Sequence, residues 1–152
     1  MPKAHFDKVY RRYLHGHYTR VGFDVCRNYT TGGTYYSAVP CCYCGDPATC
    51  EDHVPPLTHY RDLLATHMPP DKRRLLLVPA CHECNSFLGD KPWGQLAFRK
   101  RYIKRRLRLR YKALVTMPTW YDREVETLGR GLHDYVQRSK IRQEDLQERL
   151  LW

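Results

Sequence analysis

Two C-x-x-C knuckles constrain this chain more than any other feature: Cys41-Cys42-Tyr43-Cys44 and Cys81-His82-Glu83-Cys84, separated by the 36 residues of 45–80. One such knuckle suits redox chemistry as well as metal binding, but two supply the four thiolates of a closed tetrahedral zinc site. The seven cysteines are an odd number, which argues against a disulfide framework. The expected ligands of a structural Zn2+ are therefore Cys41, Cys44, Cys81 and Cys84, with Cys42 or Cys50 able to substitute for Cys41 or Cys44. Cys26 has no partner at ligand spacing and reads as a small buried hydrophobe.

Charge supplies the second constraint. The chain has 152 residues, about one domain, and 26 Lys and Arg against 16 Asp and Glu give it a formal charge of +10. Nine basic residues and no acidic one fall within Leu96–Lys112: Arg99, Lys100, Arg101, Lys104, Arg105, Arg106, Arg108, Arg110 and Lys112. No acid stands at i±4 to support such a run, and like charge at this density repels itself unless an anion lies against it. Nucleic acid is the expected partner, with these nine residues as its contacts. A content of 42% apolar and 12% aromatic residues excludes a disordered chain. No run approaches the roughly 18 apolar residues of a membrane span, and the N-terminus lacks a secretory apolar region, so a cytoplasmic protein without a membrane partner is expected.

Periodicity points to an α+β chain. Residues 4–14 are helical in spacing, with Phe6, Val9, Tyr10 and Leu14 on one side, and residues 18–38 read as short strands around Gly32-Gly33. A short helix is expected over 57–68 and a buried strand over 75–78 limited by Pro79, with a helix starting in the second knuckle. A long basic helix over about 94–114 should bury Leu96, Ile103, Leu107, Tyr111 and Leu114. After Pro118, Thr119 and Asp122 resemble a capping box, and Gly129 and Gly131 precede a last helix over 132–151. That last helix carries Leu132, Val136, Leu146 and Leu150 for core or subunit contacts, which is compatible with a homodimer.

Chemistry should lie between the knuckles. Asp52-His53 follows Cys44 by eight residues, and Asn85 directly follows Cys84. A carboxylate and an amide oxygen suit Mg2+ or Mn2+, and a neutral imidazole beside them can take a proton from an attacking water near neutral pH. That set performs phosphodiester hydrolysis. A Gly-rich phosphate loop and G-x-S-x-G are both missing from the sequence, which removes nucleoside triphosphate chemistry and serine hydrolysis. His59, His67 and His82 are reserve candidates, with His59 or His82 placed to fall near the metal, whereas His5, His15, His17 and His133 lie outside the motif and read as surface residues.

The order C-x-x-C, D-H-V-x-P, and an apolar strand ending in V-P-A-C-H-E-C-N resembles the HNH nucleases, in particular the zinc-containing branch represented by phage recombination endonuclease VII. The resemblance covers about residues 41–91 and implies a ββα-metal core stabilised by a four-cysteine structural zinc site. By its implication His53 is the general base, and Asp52 and Asn85 hold the catalytic ion. Residues 1–40 become an N-terminal flank and 92–152 a helical region with the basic helix. The implied activity is a metal-dependent DNA endonuclease, acting in the host cell if phage-encoded; the alternative is a zinc-stabilised nucleic-acid-binding module without catalysis. Many HNH sequences use an Asn to orient the base, but residues 54–84 contain none, so a carbonyl or another side chain must hold His53.

Overall fold

The computed structural model describes residues 3–59 and 75–152. The chain is α+β. Helix α1 (Lys3–His15) leads into a short strand β1 (Thr19–Arg20) and then a hairpin of β2 (Arg27–Thr31) and β3 (Thr34–Ala38). Strand β4 (Cys50–Val54), a 3-10 turn (Leu57–His59) and strand β5 (Leu76–Ala80) follow. The remainder is helical: α2 (His82–Leu88), α3 (Leu96–Arg110), α4 (Lys112–Val115), α5 (Asp122–Glu126) and α6 (Arg130–Leu151). Among the described residues no helix is long and apolar enough to cross a membrane.

The main sheet has the order β1-β5-β4, with β5 parallel to β1 and antiparallel to β4. Strand β5 is central, which is why its sequence is continuously apolar rather than alternating. Pro79 does not limit it as the sequence suggested; the strand continues through Pro79 to Ala80. The reason lies in the direction of the backbone groups. Leu75 and Leu77 turn their carbonyls to β1, accepting from Thr19 and Val21, so position 79 faces the same side two residues on. There β1 has already ended, and the missing proline N–H leaves no ladder bond unmade.

Period-two alternation gives the sheet two distinct faces. On one, Leu76, Val78 and Ala80 of β5 join Cys50 and Val54 of β4, and against them pack Leu88, Ile103, Leu107 and Leu146 from α2, α3 and α6. The four knuckle cysteines belong to this same core. The other face is smaller, with Leu75 and Leu77 covered by Tyr18 and Leu57.

The helices depart from expectation in detail. The basic helix ends at Arg110, one turn earlier than its apolar spacing implied, and α4 continues after Tyr111. Its buried stripe holds Ile103 and Leu107, with Leu96, Tyr111 and Leu114 partly buried beside them. The capping box at Thr119 and Asp122 is not used. Tyr121 is the N-cap of α5, and its N–H donates to the Glu124 carboxylate at 2.9 Å, because α5 starts two residues later than expected. Only Gly129 precedes α6; Gly131 lies within it. The expected helix over 57–68 is described only as the turn Leu57–His59, and His67 lies outside the described residues. Cys26 is exposed, not buried as the sequence suggested, because it lies in the surface link between β1 and the hairpin rather than in the core.

Candidate metal centre and nucleic-acid interface

Strand β5 delivers the second knuckle to the first. The Pro79 carbonyl accepts from Cys42 N–H at 2.9 Å, and the Ala80 carbonyl accepts from Thr49 N–H at 3.0 Å, so both knuckles hang on the end of one strand. In the first, Cys41 O accepts from Gly45 N–H at 2.9 Å and Cys41 Sγ accepts from Tyr43 N–H at 3.4 Å. In the second, Cys81 is the N-cap of α2, and its sulfur accepts from Cys84 N–H at 3.4 Å. Gly45 cannot be replaced without strain. Its φ is +80°, and a Cβ there would stand 2.9 Å from the Trp152 ring.

The sulfurs of Cys41, Cys44, Cys81 and Cys84 all lie within 4.8 Å of one another and all four residues are buried. The Cys44 and Cys81 sulfurs are 3.7 Å apart. A tetrahedron built on zinc–sulfur bonds of about 2.3 Å has edges of about 3.8 Å. The donor set and its spacing therefore fit a structural metal ion such as zinc. Cys42 and Cys50 stand outside the cluster, and burial pushes both of their thiols up, away from the thiolate form. A Cys42→Ala/Cys50→Ala variant is expected to keep the full zinc content of the wild type by metal analysis; a drop would return one of them to the ligand set.

Arg149 binds the last helix to this centre. Its Nη2 donates to Glu83 Oε2 at 2.5 Å and lies 4.0 Å from Cys44 Sγ, while its Nε pairs with Asp46 at 3.0 Å. One guanidinium thus touches a residue inside the second knuckle and another just after the first. It also brings positive charge to a cluster that becomes anionic when four thiolates hold a divalent ion.

Strand β4 carries Asp52 and His53, and alternation sends them to opposite faces. Asp52 pairs in register with Val78 on the core face, His53 with Leu77 on the other. Asn85 stands in α2 one residue after Cys84, with its amide near the Cys50 thiol. The structure therefore places Asp52 and His53 on opposite faces of β4.

Asp52 is 5% exposed, and its partners are already in place. Arg99 Nη2 reaches both carboxylate oxygens at 2.8 Å, and the Tyr43 hydroxyl donates to Oδ2. The rest of that guanidinium is equally occupied: Nε donates to the Tyr43 hydroxyl at 3.3 Å, and Nη1 to the carbonyls of Lys91 at 3.2 Å and Trp93 at 3.1 Å. All three nitrogens of the guanidinium thus have partners. A divalent ion on Asp52 does not fit this arrangement, since the carboxylate already answers a buried cation. Arg99 is itself a correction. It is fully buried and cannot contact nucleic acid, because it occupies the inward stripe four residues before Ile103.

His53 sits in different company. Its Nε2 is 2.7 Å from His15 Nδ1, so one ring donates and the other accepts, and the edge of Tyr18 meets its ring at a centroid distance of 4.9 Å. Tyr18 in turn donates to Pro55 O at 2.5 Å, fixing the chain just beyond β4. Burial, and then the neighbouring His15, hold the His53 pKa below the ordinary histidine value, so the imidazole is neutral at neutral pH. The side chain that holds His53 is thus His15, from the end of α1 and 38 residues away. No signal in the sequence marks it, since it belongs to no motif and only the docking of α1 brings it there.

Of the expected nucleic-acid contacts, Arg101, Arg105, Arg106, Arg108, Arg110 and Lys112 are exposed, and Lys100 and Lys104 are half-buried. Arg110 pairs with Glu83 at 3.2 Å and, with Arg106, lies over the Phe87 ring. His82 is exposed beside the cluster, and His59 reaches the Asp90 carbonyl at 2.6 Å. No protein-family model, curated protein or solved structure matches the chain.

Proposed function

We propose that the chain is a DNA endonuclease with an HNH-like ββα core formed by β4, β5 and α2. The observation that carries this reading is the adjacency of that unit to the four-cysteine cluster. Two antiparallel strands run directly into a helix, with a neutral His53 in the first strand and Asn85 one residue beyond the last cluster cysteine. In this reading His53 takes a proton from the water that attacks the scissile phosphate, and His15 fixes the orientation of its ring. Exposed cations of α3 hold the DNA by phosphate contacts that position it without reading its sequence. A divalent ion would supply charge stabilisation at the phosphate, and Asp52 joins its ligands only by giving up Arg99.

The test is cleavage of supercoiled plasmid and of a four-way junction, with and without Mg2+ or Mn2+, by wild type and by His53→Ala. Metal-dependent cutting that falls by about 10²–10⁴-fold in the variant is the expected result. The acid limb of the wild-type rate profile is expected below the ordinary histidine value of about 6.5, because burial depresses the pKa of His53. Equal cutting by both proteins removes His53 as the base.

One observation favours a second reading, a zinc-stabilised nucleic-acid-binding module. The carboxylate that a nuclease needs for its ion is neutralised by Arg99 in the core. DNA bound tightly but left whole by both proteins under every metal condition selects this reading.

A further inference from the structure

The β2–β3 hairpin takes no part in the site described above, and its construction is unusual for a ribbon of two strands. Its ten strand residues pair in unbroken register from Arg27↔Ala38 to Thr31↔Thr34. A two-residue turn joins them, with φ +58° at Gly32 and +83° at Gly33, the left-handed pair that a type I′ hairpin turn demands. Among the described residues no third strand continues the ribbon, and all its residues except Tyr29 and Ala38 are exposed. A lone two-stranded hairpin gains little from folding in water, so this one depends on what its faces meet.

One face is fixed to the body. The Tyr29 hydroxyl donates to Gly45 O at 2.5 Å, Tyr36 stacks on Tyr29 at a centroid distance of 5.8 Å, and Arg27 lies over the Trp152 ring at 4.7 Å. The other face, made of Asn28, Thr30, Tyr35 and Ser37, is open, and Tyr35 is 80% exposed. Ser37 Oγ donates to Asn28 Oδ1 at 2.7 Å, which holds the amide in place with both of its N–H donors directed away from that bond. No acidic residue occurs from Val25 to Gly45, so the ribbon itself carries no negative charge, although Asp46, Asp145 and Glu148 line a pocket together with β2.

From this arrangement we propose that the open face of the β2–β3 hairpin enters the major groove of duplex DNA and reads base edges there. The proposal rests on the DNA-binding part of the reading above and adds to it a source of sequence preference. Two strands about 4.8 Å apart, with their side chains, fit a groove about 12 Å wide. Neutral amide and hydroxyl groups suit base edges, Asn pairing with adenine and Ser or Thr with either partner. The deep, narrow major groove of A-form RNA does not admit such a ribbon. A groove of 340 Å³ at the root of the hairpin is lined by Val25, Pro40 and Trp152 together with Lys100 of the basic helix α3. The helix would hold phosphates while the hairpin reads the sequence.

The experiment is selection from a randomised DNA duplex library with the full, zinc-loaded chain. Anisotropy titrations of the selected duplex and a scrambled one then follow across a salt series. Wild type is expected to prefer the selected duplex by about tenfold or more, the worth of one good base contact. Asn28→Ala/Tyr35→Ala should abolish that preference while keeping the salt slope and the circular dichroism spectrum. Arg105→Ala/Arg106→Ala should do the reverse, weakening both duplexes alike and reducing the slope by about two. Tight binding by wild type with no selected motif overturns the proposal and leaves DNA binding intact, as does a preference that survives in the hairpin variant. Failure of wild type to bind any duplex at low salt overturns both. A dimer in sedimentation that the hairpin variant dissociates, without any change in DNA preference, assigns the face to a second copy and overturns the proposal too.

Discussion

Removing the metal from the four-cysteine cluster is expected to unfold the core of the chain rather than to loosen one loop. The ligands are not an appendage. Cys41, Cys44, Cys81 and Cys84 are counted among the same buried residues as Val54, Val78, Leu88, Ile103, Leu107 and Leu146, so the cluster stands where other domains place aliphatic side chains. Without an ion, four sulfurs must share that space, and among the described residues no large second core can take over. The other buried group is Tyr18, Leu75 and Leu77. Structural zinc contributes an apparent binding energy of about 10–16 kcal/mol at neutral pH in small sites, which equals or exceeds the whole stability of a typical domain. Treatment with a strong chelator, or Cys84→Ser, should therefore abolish the cooperative thermal transition seen by circular dichroism. Restoring zinc should rescue the chelated wild type but not the variant. Because thiolates bind metal and protons compete for them, the same transition should be lost on acidification. A chelated wild type that still melts cooperatively at the holo temperature would show that the cluster is not a folding element.

Much of this was legible in the sequence, and the parts that were not share one cause. The knuckles identified their own cysteines because ligand spacing is local. Helix α1 was legible from period and strand β5 from its apolar run, each within two or so residues at its ends. What residue type alone could not show was which side of an element a polar group takes. Arg99 stands in a basic run and reads as a phosphate contact, yet it is four residues from Ile103 and eight from Leu107, the inward stripe of α3. Asp52 is adjacent to His53 in sequence, yet adjacency in a strand means opposite faces, and Asp52 alternates with Cys50 and Val54 toward the core. The register held this information. His15 is a different case: its contact with His53 depends on the docking of α1, which no local pattern encodes.

The Asp52–Arg99 pair leads to the second large expected effect, on stability rather than on activity. Were Asp52 an open ligand for a catalytic ion, Asp52→Ala would end cleavage and leave the fold and the zinc untouched. The geometry requires the opposite order of magnitudes. Its removal strands a guanidinium that is fully buried and shielded from bulk solvent. Breaking a buried pair from one side costs about 3–5 kcal/mol, because the remaining charge keeps its desolvation penalty without its partner. For a chain of this length that corresponds to a fall of about 6–20 °C in Tm. Arg99→Met should cost a comparable amount by leaving the buried Asp52 carboxylate without its countercharge, held only by the Tyr43 hydroxyl. The double variant Asp52→Leu/Arg99→Met removes both charges, and its loss should be much smaller than the sum of the two, as apolar replacements of buried pairs are often neutral. Thermal unfolding of the three zinc-loaded proteins measures the coupling directly. Strictly additive losses would mean that the two side chains do not meet. If instead Asp52→Ala keeps the wild-type Tm but loses metal-dependent cleavage, the carboxylate serves an ion, and Arg99 is only its resting partner.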